Sequence, residues 1–217
     1  MAAIYVDLDG TLVQYDRSFA DIFEEACETV GVEATAELQR YHMEQFFERF
    51  TAFDDDPYLA AARDLCREYD LDVEPAVFRD ARVDAERAAT TVAPGVHDAL
   101  DSLAVDHRLG VLSNGVGDVQ RDKLAAHGLD ERVETVVVSH DVGVMKPDPR
   151  LFAVAEERLP AEKYVYVGDS VEDDVDGAVD AGWAGAVHVV ASDTACSGCR
   201  ADLHVAPDEF DRLDELR

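Results

Sequence analysis

The chain has 217 residues, 47% of them hydrophobic, enough to build a sizeable core in one large domain or in a core domain with an inserted partner. Its 48 acidic residues against 19 basic ones give a formal net charge of −29, which makes nucleic acid and anionic membrane surfaces poor partners. Strong periodic apolar runs argue against a disordered acidic chain, and an acid-rich surface with only three lysines (Lys123, Lys146, Lys163) is expected of a halophilic protein, whose self-repulsion is screened by concentrated salt.

The first element is the apolar run Ala3-Ile4-Tyr5-Val6, which reads as a strand buried on both faces because no polar residue alternates within it. It ends in Asp7-Leu8-Asp9-Gly10-Thr11-Leu12. Residues i and i+2 of an extended chain point the same way, so Asp7 and Asp9 stand together at the carboxyl end of that strand. Parallel sheets bind ligands at that end, and two carboxylates crowded there call for a cation or a shared proton. An Asx-type turn accounts for the same letters equally well. No secretory leader pattern precedes the strand, and no apolar stretch approaches bilayer length, so a soluble cytoplasmic protein is expected.

From residue 15 to about 92 the spacing is helical. Ser18 caps a helix that ends at Gly31; a second starts near Thr35 and stops at the acidic Pro57 turn; further helices cover 58–69 and 74–90. Cys27 and Cys66 fall on these helices as small core residues. The aromatic residues Tyr41, Phe46, Phe47, Phe50 and Phe53 read mainly as packing. Pro94-Gly95 marks the return, after which strands over 108–112, 133–138, 164–167 and 186–190 alternate with helices over 96–103, 118–127, 149–159 and 172–181. That alternation predicts an α/β fold with a doubly wound parallel sheet, made from residues 1–14 and 93–217, with 15–92 as an inserted helical domain. An amphipathic helix is expected over 208–217. Cys196 and Cys199 read as an uncommitted loop pair, since no second CxxC or His pair completes a metal site. The seven histidines show no ligand spacing.

Polar residues close three further segments: Ser113-Asn114-Gly115, Lys146-Pro147, and Gly168-Asp169 followed by Asp173 and Asp174. With Asp7-x-Asp9-Gly10-Thr11 they stand in the order of the four motifs of the haloacid dehalogenase superfamily, which the chain resembles over essentially its whole length. The resemblance implies a Rossmann-like core with a helical cap inserted after the first motif, and a Mg2+-dependent phosphatase acting on a small phosphorylated metabolite. Asp7 would be the nucleophile that forms an aspartyl-phosphate. Asp9 would act as acid and base, and Lys146 would offset charge on the nucleophile and on the transferring group. Thr11, Ser113, Asn114, Gly115 and Lys146 would bind the phosphate. Asp7, Asp9 (through its backbone carbonyl), Asp169 and Asp174 would hold the metal, with Asp173 as the rival to Asp174. Tyr15 and Arg17, just past the nucleophile, are expected as substrate contacts.

A haloacid dehalogenase would lack the acid at Asp9, because a departing halide needs no proton. A phosphomutase would need groups for a second phosphate, and none is identifiable. A receiver-like signalling module has no use for an eighty-residue insertion. A P-loop enzyme is excluded, as no GxxxxGK[ST] occurs. A monomer or homodimer is expected.

Overall fold

The computed structural model describes residues 1–190 and 198–216. They divide into two compact units, one made of Met1–Gln14 and Thr91–Arg217, the other of Tyr15–Thr90.

The first unit is built on a six-stranded sheet of β1 (Ala3–Val6), β4 (Arg108–Ser113), β5 (Thr135–Val138), β6 (Tyr164–Gly168), β7 (Gly185–Val189) and β8 (Leu203–Val205), in the order β5-β4-β1-β6-β7-β8 and parallel throughout. Every residue of β1 is buried. Ile4 and Val6 join the apolar layer that includes Leu100, Leu124 and Phe210, while Ala3 and Tyr5 join the opposite layer with Phe152, Tyr166 and Trp183. The two-residue period of a strand thus divides β1 between two cores, which is why no polar residue is tolerated within it. Helices α5 (Val96–Leu103) and α6 (Gly117–Ala126) contribute to the first layer, and α8 (Pro149–Arg158) to the second. Trp183 completes the second layer, with its ring centroid 5.2–5.9 Å from those of Tyr5, Phe152, Tyr164 and Tyr166. β4 and β5 lie on one side of β1 and β6, β7 and β8 on the other, so its carboxyl end is at the topological switch point where such sheets place a ligand crevice.

The second unit holds α1 (Phe19–Val30), α2 (Ala36–Thr51), α3 (Pro57–Glu68) and α4 (Pro75–Ala88). Ser18 closes a capping box with Asp21, and Gly31 ends α1 in the left-handed conformation at φ 74°. Thr35 and Asp56 cap the next two helices through their side chains. Phe23, Leu65 and Phe78 form the core. A polar network lies beside it: the Glu86 carboxylate accepts from Tyr58 Oη at 3.0 Å and from Arg82 Nη1 at 2.8 Å.

The structure departs from the sequence reading in several places. The stretches flanking the helical unit are extended, as β2 (Val13–Tyr15) and β3 (Thr90–Val92), and pair as a two-stranded ribbon; three residues are too few to show a period. A short α7 (Ser139–Val142) follows β5. The segment expected as one helix over 172–181 is a π-helix, Val171–Asp176, running into α9 (Gly177–Asp180). β8 was unforeseen, and the tail over Phe210–Leu216 is 3-10 rather than α-helical. Among the described residues no helix is long and apolar enough to cross a membrane.

Candidate active site

The carboxyl ends of β1, β4 and β6, with the loop carrying Lys146, surround a cavity of about 200 Å³. Asp7, Asp9, Ser113, Lys146, Asp169 and Asp174 are among its lining residues. Asp7 extends β1, and its backbone N–H donates to Val167 O at 2.8 Å. Gly10 turns the chain away at φ +83°, and a Cβ there would stand 2.4 Å from Asp169 Oδ2, so both the turn and the approach of Asp169 require glycine. Gly168 is constrained likewise, with Asp174 Oδ2 only 2.3 Å from where its Cβ would lie.

Lys146 is the buried cation of the site. Its Nζ donates to Asp7 Oδ1 at 2.9 Å, to Asp174 Oδ1 at 2.6 Å and to Tyr166 Oη at 2.7 Å. An ammonium has three donors, and all three are used. The Tyr166 hydroxyl donates in turn to Leu112 O at 2.5 Å. Burial works against the charge on Lys146, but Asp7 and Asp174 outweigh it and hold the proton more firmly than usual. Asp7 is pushed up to about 7 by burial; Lys146 opposes the rise and Asp174 adds to it. Asp169 is also raised, by partial desolvation and then by Asp174. One ammonium is thus shared among more carboxylates than it can neutralise.

Asp7, Asp169 and Asp174 each bring a carboxylate oxygen within 4.8 Å of the others. An all-oxygen donor set with surplus negative charge fits a hard divalent cation such as Mg2+. Asp174 also accepts from Ser170 N at 2.9 Å through Oδ2, so it doubles as the brace for Lys146. Asp173 lines the cavity, and its carboxyl is raised chiefly by desolvation. The Asp9 carboxylate stands outside the trio and is held from α6, accepting from Gln120 Nε2 at 2.7 Å and from Lys123 Nζ at 2.9 Å.

The residues expected to bind phosphate are placed unevenly. Ser113 Oγ reaches the cavity and accepts from Gln120 Nε2 at 2.9 Å. Asn114 clamps the lysine loop from both sides, giving Nδ2–H to Lys146 O at 3.1 Å and accepting Lys146 N–H at 2.8 Å. Gly115 N–H is spent on Ser139 Oγ at 3.0 Å. Thr11 Oγ1 is buried and lies 3.4 Å from Asp169 Oδ1. Within the helical unit, Tyr15 Oη reaches Glu86 at 3.3 Å and Arg17 pairs with Glu25. Of the aromatic residues there, Phe47 is 53% exposed, and Phe46 stacks on Phe50 and packs 4.6 Å from Tyr58; none of these three phenylalanines joins the buried core. Tyr166, Gln120 and Lys123 went unsuspected. The one available hint was a lysine on α6 in a chain with only three.

Residues 1–182 match the family described as haloacid dehalogenase-like hydrolases. The chain is 31% identical over 117 residues to pyrimidine 5′-nucleotidase YjjG of Escherichia coli, covering 52% of each protein. It is 35% identical over 124 residues to a glyceraldehyde 3-phosphate phosphatase of Methanopyrus kandleri, covering 54% of this chain and 53% of that protein. Both matches span about half the length of these curated relatives. The crystal structure of a 2-haloacid dehalogenase from Pseudomonas syringae superposes with a TM-score of 0.72 at 23% identity, over 100% of this chain and 97% of that one, a likeness of fold. With the family match extending from β1 through the last acidic motif, the chain belongs to the haloacid dehalogenase-like hydrolases.

Proposed function

We propose that the protein is a Mg2+-dependent phosphatase of small phosphorylated metabolites, acting through an aspartyl-phosphate on Asp7. The observation that carries this reading is the pairing of Asp7 with Lys146 at 2.9 Å beside a second acid, Asp9, at the end of the central strand. The free oxygen of Asp7 attacks phosphorus, while Lys146 holds the other and limits charge build-up. Asp9 protonates the departing alkoxide and later takes a proton from the water that cleaves the acyl phosphate. To do so, one Asp9 oxygen exchanges its Gln120 or Lys123 partner for the leaving group. Ser113 Oγ orients a phosphate oxygen. Asp7, Asp169, Asp174 and the Asp9 carbonyl would hold Mg2+, which supplies charge neutralisation for the phosphoryl group. Leaving-group selection is assigned to the helical unit as a cap, with nucleoside monophosphates and triose phosphates as first candidates from the named relatives. A cytoplasmic setting suits such substrates.

Dehalogenation is the reading to test against this one, because the same fold and nucleophile serve both. Asp9 favours the phosphatase, since halide departure needs no acid. The experiment is phosphate release from a metabolite panel in molar KCl with Mg2+, alongside halide release from 2-haloacids. Asp7→Asn should lose at least about 10³-fold in turnover while keeping its circular dichroism spectrum. Retained turnover in that variant removes Asp7 from the nucleophile role, and halide release without phosphate release reverses the assignment.

A further inference from the structure

A second cluster of ligating side chains lies on the β7–β8 side of the sheet. The parallel register sets His188 of β7 directly opposite His204 of β8, with ring centroids 5.4 Å apart. Cys199 brings Sγ to 3.7 Å from His204 Nε2. One ligand atom from each of the three residues lies within 4.8 Å of the other two. The expectation that no histidine pair accompanies the cysteines is therefore corrected. The pairing arises from strand register and has no counterpart in sequence spacing.

The two histidines are set up as ligands. His188 is buried, with Nε2 3.1 Å from Asp169 O. A carbonyl only accepts, so it is the Nε2–H of His188 that donates there. A ring N–H given to a backbone carbonyl is the outer contact that orients metal-bound histidines. His204 turns Nε2 toward Cys199 Sγ, and its other ring nitrogen, Nδ1, is buried without a hydrogen bond. The 3.7 Å from nitrogen to sulfur is close to the roughly 3.6 Å that such ligands subtend at a tetrahedral zinc.

In this structure Cys199 is disulfide-bonded. Cys27 and Cys66 are free, and Cys196 lies outside the described residues. The expectation of an uncommitted Cys199 is thus corrected as well. A thiolate, not a disulfide sulfur, is the competent ligand.

We propose that His188, Cys199 and His204 form a zinc-type metal site, separate from the carboxylate cavity, that becomes competent when the disulfide at Cys199 is reduced. A dithiol supplies two electrons and two protons, the S–S bond breaks to two thiols, and the dithiol closes to its own disulfide. On loading, the Cys199 thiol releases its proton to solvent, and the thiolate and two imidazole nitrogens each donate a lone pair to the ion. These donors select Zn2+ or Co2+ over Mg2+, which prefers oxygen. The bound ion ties β7, β8 and the segment entering β8 together at the end of the sheet.

The test uses the full chain in molar KCl, reduced with a dithiol that is then removed under nitrogen, and titrated with Co2+ followed by Zn2+. The proposal requires one equivalent of Co2+ with a sulfur-to-cobalt charge-transfer band, displaced by Zn2+ and absent from the oxidised protein. Cys199→Ser should abolish the band, and His204→Ala should weaken Co2+ binding at least about tenfold. Cobalt on the Asp7–Asp169–Asp174 carboxylates gives no sulfur band, so binding without the band counts against the site. No band in reduced wild type, or a band surviving Cys199→Ser, overturns it. Should Cys199→Ser fail to fold by circular dichroism, undiminished affinity in His204→Ala overturns it instead.

Discussion

The Asp9 carboxylate is held from one helix by two donors: Gln120 and Lys123 sit three residues apart on α6 and so share a face. Gln120 also donates to Ser113 Oγ, so one amide links the proposed acid to the proposed phosphate contact. Asp9→Asn should slow alkyl phosphates far more than nitrophenyl phosphate, whose leaving group needs little protonation. Lys123 acts through the Asp9 carboxylate that it holds and is a positioning residue. Lys123→Met should therefore reproduce that leaving-group bias in milder form, and the double variant should be little worse than Asp9→Asn alone. Steady-state kinetics on the two ester classes decide this; an equal loss on both, or full additivity, contradicts it. Asp7, Asp9 and Asp169 were legible in the sequence because charged side chains closing apolar strands have few structural reasons to be there, whereas Lys146 and Asp174 followed from the motif order of the resemblance, with Asp173 left as a rival. Tyr166 was hidden inside a strand and Gln120 and Lys123 inside a helix, where such residues read as packing or as a solvated face. Their partners are 7 to 114 residues away, beyond any local pattern.

The helices of the second unit were readable nearly to their caps, because Ser18, Thr35 and Asp56 each satisfy an orphan backbone N–H of the following turn. The ribbon of β2 and β3 and the strand β8 were not, since a three-residue strand carries no periodic signal. Periodicity also missed what His42 does on α2. Its ring lies between those of Phe23 and Phe78 at 5.4 and 5.6 Å, and neither nitrogen makes a hydrogen bond. Burial, reinforced by Arg82 and only partly offset by Glu86, lowers its pKa to about 3. An unfolded chain takes up this proton below about 6.5, so acid favours unfolding, and the stability His42 allows at neutral pH is lost as pH falls from 6.5 toward 3. At pH 5.5 the loss should be about 1.4 kcal/mol. Urea unfolding at constant KCl should show a shallower decline between pH 8 and 5.5 for His42→Phe than for wild type; parallel declines would remove His42 as the cause.

Across the whole molecule, the only buried acids among the described residues are Asp7, Asp64, Glu86 and Asp174. Two of these belong to the cavity, and the other two are paired with arginine in the helical unit. The other acids among the described residues are on or near the surface, where salt screens them. Thermal midpoints should therefore rise steeply from dilute buffer to molar KCl, and a midpoint independent of KCl would refute the halophilic reading. Lysine shows the opposite distribution. Lys123 and Lys146 are buried in the site while Lys163 is exposed, so an amine-acylating reagent meets a single accessible lysine side chain on the folded chain. Peptide mass mapping should find Lys163 modified and the other two untouched until denaturant is added. Lys163 is then a natural tether for fixing the protein to a support with its proposed catalytic amine intact.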